Sequence, residues 1–239
     1  MQTATTLSPS RNLELKPLKP MGWLESLLLF GIPAAVLAFN LLWLWPTLTS
    51  AGVARPVAYA FCLSLVNAGL LAAAVTGYIM EGNPLTWPAF SRRMRLARMT
   101  GRIWLWALLG TLVFGILALL IESLAVMFYK AIAFPIPNVV GVVMPVWMNV
   151  MVLLFNIFGE ELWWRGYILP RQELSFGKYT WMLHGTLWAG FHAFKWWAVP
   201  FMLITCQIIP FVAQKTRNTW PGIINHMVIN GASAILSAL

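Results

Sequence analysis

The sequence predicts an all-α, polytopic membrane protein with about seven transmembrane helices, six or eight being compatible with the same pattern. Three observations carry that reading. Of the 239 residues, 60% are hydrophobic and 10% charged, with a mean hydropathy of +0.75, outside the range of domains that need a polar surface. The apolar residues fall into runs of about 20, the length that crosses about 30 Å of hydrocarbon at about 1.5 Å per residue. The basic residues cluster between these runs and alternate in number from one junction to the next.

Residues 1–20 read as a polar tail bearing Pro and Lys, retained because the apolar run after it is too long for a signal-peptide core. Residues 21–239 read as one transmembrane domain without internal repeats. Its spans are 22–48, 56–80, 103–128, 143–169, 180–197, 198–214 and 220–238, the fifth and sixth close to the minimum length. Between the second and third, "EGNPLTWPAFSRRMRLARMTGR" opens with turn residues and then carries five arginines among apolar residues. That composition suits an interfacial helix whose Arg92 to Arg102 segment binds anionic lipid headgroups.

Thirteen of the sixteen Lys and Arg residues fall on one side of these spans, and Arg55, Lys130 and Lys195 on the other. The positive-inside rule then places the N-terminus in the cytoplasm. The net charge of +9 is thereby a matter of membrane orientation, not of nucleic acid. Cys62 and Cys206 lie in apolar spans, where a free cysteine is a small hydrophobe, so neither a disulfide nor a metal role is expected. Every one of the seven acids is a glutamate, which excludes an aspartyl intramembrane protease.

Ionisable groups inside hydrocarbon are costly and face the bundle interior. Those within the spans are Glu25, Glu122, Glu160, Glu161, Arg165, His184, His192 and His226. In "FNIFGEELWWRGYILP", Glu161 and Arg165 are four apart and can pair, while Glu160 points about 100° away and keeps its carboxylate free. A carboxylate in a dry site is a better base for water than one in solution. Asn156, one turn before Glu160, is its candidate hydrogen-bond partner. Trp188 stands one turn before His192 and can pack on its ring. His226 and Asn230 share a face and offer two neutral hydrogen-bond donors for an oxyanion. The same residues also fit snorkelling charges at a helix end, a structural histidine and an interhelical polar clamp. Depth argues for a site: at about 1.5 Å per residue, Glu160, His192 and Asn230 each lie about 15 to 18 Å from the assigned cytoplasmic ends of their helices. His184 reads as structural, Glu25 as interfacial and Glu122 as solvated or interhelical.

"EELWWR" has the form EExxxR, "WAGFH" approximates FxxxH with Trp188 where phenylalanine is usual, and "HMVIN" has the form HxxxN, in that order. The chain resembles the CAAX-processing and bacteriocin-processing (CPBP, or Abi) membrane proteases, which include the type II CAAX prenyl endopeptidases. The resemblance covers residues 143–238. It implies an intramembrane endopeptidase in which Glu160 and His192 activate water, His226 and Asn230 stabilise the oxyanion, and Glu161 and Arg165 support them; Asn156 lies outside the motif and remains a candidate partner of Glu160 by its spacing alone. It implies a peptide or membrane-protein substrate and a bacterial plasma membrane location. A metal-free mechanism is favoured; a zinc ion held by Glu160, His192 and His226 is the alternative. A non-catalytic immunity or scaffold protein and a proton-coupled transporter are the competing functions, and neither substrate identity nor oligomeric state is written in the chain.

Overall fold

The computed structural model describes residues 15–134 and 142–236, and these contain helices and turns but no strand. The tail prediction falls largely on residues 1–14, outside the described residues, as do the last residues of the 143–238 core. Helix α1 spans Trp23–Ser50, with a π-helical turn at Asn40–Leu44; α2 spans Arg55–Met80; α3 spans Trp87–Arg93; α4 spans Gly101–Ala131. Helix α5 begins at Val146–Glu160 and continues through a π-helical stretch, Glu161–Ile168, and a last segment, Leu169–Phe176. Helices α6 (Thr180–Phe191), α7 (Val199–Thr205), α8 (Ile208–Thr216) and α9 (Trp220–Leu236) complete the bundle.

Local chemistry sets these boundaries. Gly22 caps α1, its N–H bonded to the Glu25 carboxylate at 3.3 Å. Pro56 and Pro88 stand in the first turns of α2 and α3, where no backbone N–H is needed. Thr100 caps α4 by accepting from the Ile103 N–H at 3.4 Å. Gly177, at φ +64°, reverses the chain between α5 and α6, a conformation that side-chain-bearing residues rarely adopt.

Among the described residues, five helical runs are long and apolar enough to cross a membrane: Trp23–Ser50, Arg55–Met80, Gly101–Ala131, Val146–Phe191 and Val199–Thr216. The expected spans 180–197 and 198–214 take a different form. The first is α-helical only to Phe191 and continues as a 3-10 turn at Ala193–Lys195, and the second is broken between α7 and α8 at Cys206 and Gln207. Helix α9, with 17 residues, is about 25 Å long. Leu105, Leu108, Leu112, Leu119 and Leu120 stand exposed along α4, a surface suited to hydrocarbon rather than water.

Helix α5 is central, packing on α2 and α9, while α9 also packs on α4 and α8, and α6 on α1 and α8. A Cβ at Gly159 would run into the Asn67 backbone carbonyl, so α5 and α2 cross backbone to backbone at the residue before Glu160.

The Arg-rich segment departs from its expected form. Only Trp87–Arg93 is helical, and two of its arginines turn inward. Arg93, 3% exposed, donates twice to Glu81 at 2.6 Å and once to the Gly166 carbonyl at 3.1 Å, with its guanidinium over the Tyr167 ring. Pro170 lacks the N–H that would reach the Gly166 carbonyl from four residues ahead, and Arg93 supplies the missing donor. Arg95 grips Glu173 through two bonds of 2.7 and 2.8 Å. These two residues tie the segment to α5 and do not form part of a headgroup-facing surface; Arg92, Arg98 and Arg102 are exposed.

Removing one partner of a buried pair strands the other. Arg93→Ala is therefore expected to destabilise the protein by about 3 kcal/mol, seen as a lower melting temperature in detergent, while Arg98→Ala leaves that temperature unchanged.

Candidate active site

The π-helical stretch starts one residue after Glu160. Such stretches carry i→i+5 bonds, here Leu169 N–H to the Trp164 carbonyl, and insert an extra residue into the helix at functional positions in many proteins. Glu160 and Glu161 are both buried, at 2% and 0% exposure, and they look in different directions.

Glu160 faces a cavity of about 490 Å³. One of its oxygens accepts from Asn156 Nδ2 at 2.6 Å and the other from Trp188 Nε1 at 2.7 Å. Asn156 in turn accepts from Asn230 Nδ2 at 2.8 Å, giving a relay from α9 through α5 to the carboxylate. Each oxygen retains a lone pair for a further donor.

Glu161 faces away from the cavity. One oxygen accepts from Arg165 at 2.9 Å and from His226 Nδ1 at 2.9 Å. The other lies against Gly222, where a Cβ would overlap it. The Arg165 guanidinium, with its side chain wholly buried, stacks on the Trp188 ring 3.9 Å from the centroid. Its Nε and remaining terminal nitrogen have no hydrogen-bond partner among the described residues, so its charge is held by Glu161 and the indole face.

His192 follows the last residue of α6. Its backbone N–H bonds to Ala189, which leaves the Trp188 carbonyl free to accept from the imidazole Nδ1 at 2.9 Å. That bond assigns the proton to Nδ1 and leaves Nε2 with a lone pair. Phe191 and Trp188 hold the ring edge-on, with centroids 5.3 and 5.8 Å away.

Asn156, Glu160, His192, His226 and Asn230 all line the one cavity, and Glu161 and Arg165 stand behind it. The rest of the lining is mostly apolar, with Phe114, Ala118 and Ile121 of α4 and Phe201 and Met202 of α7, and it also includes Lys195 and Thr205. Tyr129 of α4 donates to the carbonyl of Trp197, in the segment that leads into α7. A water molecule occupies about 30 Å³, so the space holds several residues of peptide and is of the size of ligand pockets generally.

One expectation changes on this geometry. His226 and Asn230 were expected as two neutral donors. With Nδ1 spent on Glu161, a neutral His226 presents a lone pair at Nε2 and donates there only as an imidazolium, while Asn230 spends one N–H on Asn156. As for zinc, no group of three or more His, Cys or acidic side chains among the described residues is arranged to hold a metal ion.

The remaining polar residues lie elsewhere. His184 bonds to Gln172 at 2.7 Å, which bonds to Ser26 at 3.0 Å, tying α6 and α5 to α1 outside the cavity. Asn225 bonds to Thr111 of α4 at 2.6 Å. Glu25 is at the exposed start of α1, and the Glu122 side chain lies outside the described residues.

Sequence reasoning assigned Trp188 a packing role and missed its indole N–H. The available signal was the substitution itself, because tryptophan at a position where phenylalanine is usual adds one hydrogen-bond donor.

Gly222 leaves room for the Glu161 carboxylate, so Gly222→Ala is expected to cost about 1 to 3 kcal/mol through overpacking, read as an earlier unfolding midpoint in a denaturing-detergent titration. Gly231→Ala, with nothing within 4 Å of its Cβ position, leaves that midpoint in place.

No match to the chain was found among curated proteins or among solved structures. Residues 142–232, fewer than half of the 239, match the family model described as "Type II CAAX prenyl endopeptidase Rce1-like". That segment runs from just before α5 into α9, contains Asn156, Glu160, Glu161, Arg165, Trp188, His192, His226 and Asn230, and is the part of the chain that is similar to this family.

Proposed function

We propose that the protein is an intramembrane endopeptidase that hydrolyses a peptide bond with a water activated by Glu160 and His192. The observation that carries this reading is that Glu160, His192, His226 and Asn230, from three separate segments of the chain, line one cavity whose remaining lining is mostly apolar. A hydrolase needs such a space: polar enough to hold water and a peptide group, and dry enough to strengthen the electrostatics within it.

In this mechanism the water sits between the Glu160 carboxylate and the Nε2 lone pair of His192. Glu160 takes a proton as the water oxygen adds to the carbonyl carbon, and His192 orients the water through its remaining hydrogen. The oxyanion receives the free N–H of Asn230 and the Nε2–H of an imidazolium at His226, whose charge Glu161 balances. The proton held by Glu160 passes to the amide nitrogen as the C–N bond breaks. No step requires a metal ion. Trp188 and Asn156 are positioning residues that fix the two oxygens of Glu160, and Arg165 holds Glu161 and underlies the indole.

The substrate in this proposal is a peptide or membrane protein that enters from the cytoplasmic side or laterally from the bilayer. The N-terminus is proposed to be cytoplasmic, in a bacterial plasma membrane.

The test is cleavage of a membrane-peptide library by the purified protein. Glu160→Ala and His192→Ala are expected to abolish it with the helical circular dichroism intact, and chelators are expected to leave it in place. Cleavage that persists in Glu160→Ala would remove that residue from the mechanism. Trp188→Phe keeps the ring and the backbone carbonyl and loses one charge-assisted hydrogen bond, so kcat should fall by about tenfold to a hundredfold at unchanged KM.

A further inference from the structure

A second hollow, of about 350 Å³, lies between the α5–α6 turn and the C-terminal end of α8. None of its lining residues lines the catalytic cavity. Lys178, Lys215 and Arg217 supply three exposed cations, Trp181 and Phe211 an aromatic wall, and Gln214 the remaining side. The lining contains no carboxylate.

Among the described residues none of the three forms an ion pair, and four glutamates pair with other arginines: Glu25 with Arg171, Glu81 with Arg93, Glu161 with Arg165 and Glu173 with Arg95. The Lys178 ammonium lies 4.9 Å from the Tyr179 ring.

The backbone holds the three together. Gln214 accepts from the Trp181 N–H at 2.8 Å and donates to the Gly177 carbonyl at 3.0 Å, latching the α5–α6 turn to the last turn of α8. Arg217 ends α8 in the left-handed region, at φ +50°. The next residues are fixed to the Arg-rich segment, Asn218 donating to the Ala97 carbonyl at 3.0 Å and Thr219 N–H to the Arg95 carbonyl at 2.8 Å. Like charges kept together by backbone ties repel one another until an anion joins them.

The aromatic wall narrows the class of anion. Trp181 packs edge-on against Phe211 at 5.2 Å, and Phe211 against Trp106 of α4 at 6.0 Å, so a strip of three rings adjoins the cations. Tryptophan beside lysine and arginine is the arrangement found where lipid headgroups meet acyl chains. We propose that this hollow binds the phosphate group of an anionic glycerophospholipid, with the chains lying along Trp181, Phe211 and Trp106. The proposal stands on its own residues and does not depend on the protease reading.

Native mass spectrometry of the purified protein in detergent, with added phosphatidylglycerol or phosphatidylcholine, tests it. Phosphatidylglycerol should bind in preference, and the triple variant Lys178→Gln, Lys215→Gln, Arg217→Gln should weaken that binding by about a hundredfold, about fivefold for each cation removed. Lys130→Gln, at the far end of α4, should leave it unchanged. Inorganic phosphate, titrated against the complex, identifies the source: failure to displace the lipid supports a headgroup with its chains, and displacement at micromolar phosphate overturns the lipid assignment. Equal binding of the two lipids, or an undiminished phosphatidylglycerol adduct on a triple variant with unaltered melting temperature, would overturn the site.

Discussion

An arginine and a glutamate buried side by side in an apolar helix set the terms for the rest of this structure. Taking both out of water costs several kcal/mol per ion, on an order-of-magnitude basis, and one mutual contact does not repay it unless the remaining polar atoms also find partners. The Glu161–Arg165 pair draws part of that compensation from two other helices, His226 from α9 to the carboxylate and the Trp188 ring from α6 to the guanidinium, while Glu161 Oε2 and Arg165 Nε and Nη2 have no hydrogen-bond partner among the described residues. The compensation of the pair thereby fixes the positions of an imidazole and an indole. The indole N–H then reaches Glu160.

The legible part of this arrangement was the part written in residue type. Glu160, Glu161 and Arg165 stand out in an apolar stretch, and the helical repeat separates the two glutamates correctly. His192 and Asn230 stand out by their similar depth to Glu160, and His226 by sharing a helix face with Asn230. What the sequence hid was geometric. The π-helical stretch from Glu161 has no distinctive composition, although Pro170 marks the Gly166 carbonyl as short of a partner. The early end of α6 at Phe191, which frees the Trp188 carbonyl for His192, lies inside a run that reads as continuous helix. The cavity wall from α4 is made of Phe114, Ala118 and Ile121, which no pattern distinguishes from lipid-facing residues.

The Arg-rich segment shows the converse error, in which a pattern is visible and its meaning divides. Five arginines within eleven residues suggested one basic surface. Arg93 and Arg95 instead work as internal ties, each gripping a glutamate and closing the segment onto α5. Counting charges gave the correct sign of the local field and did not identify which charges are free to act outward. Lys178, Lys215 and Arg217, scattered in sequence and unremarkable there, are brought together by a turn and a helix end and meet no carboxylate.

The central claim is that the Glu161–Arg165 pair is one unit whose halves are harmful alone. A double-mutant cycle of unfolding free energies in detergent, with Glu161→Leu, Arg165→Met and the two together, measures it directly. The account predicts that each single change costs about 3 to 5 kcal/mol and that the double variant recovers most of that loss. Additive losses in the double variant would contradict it.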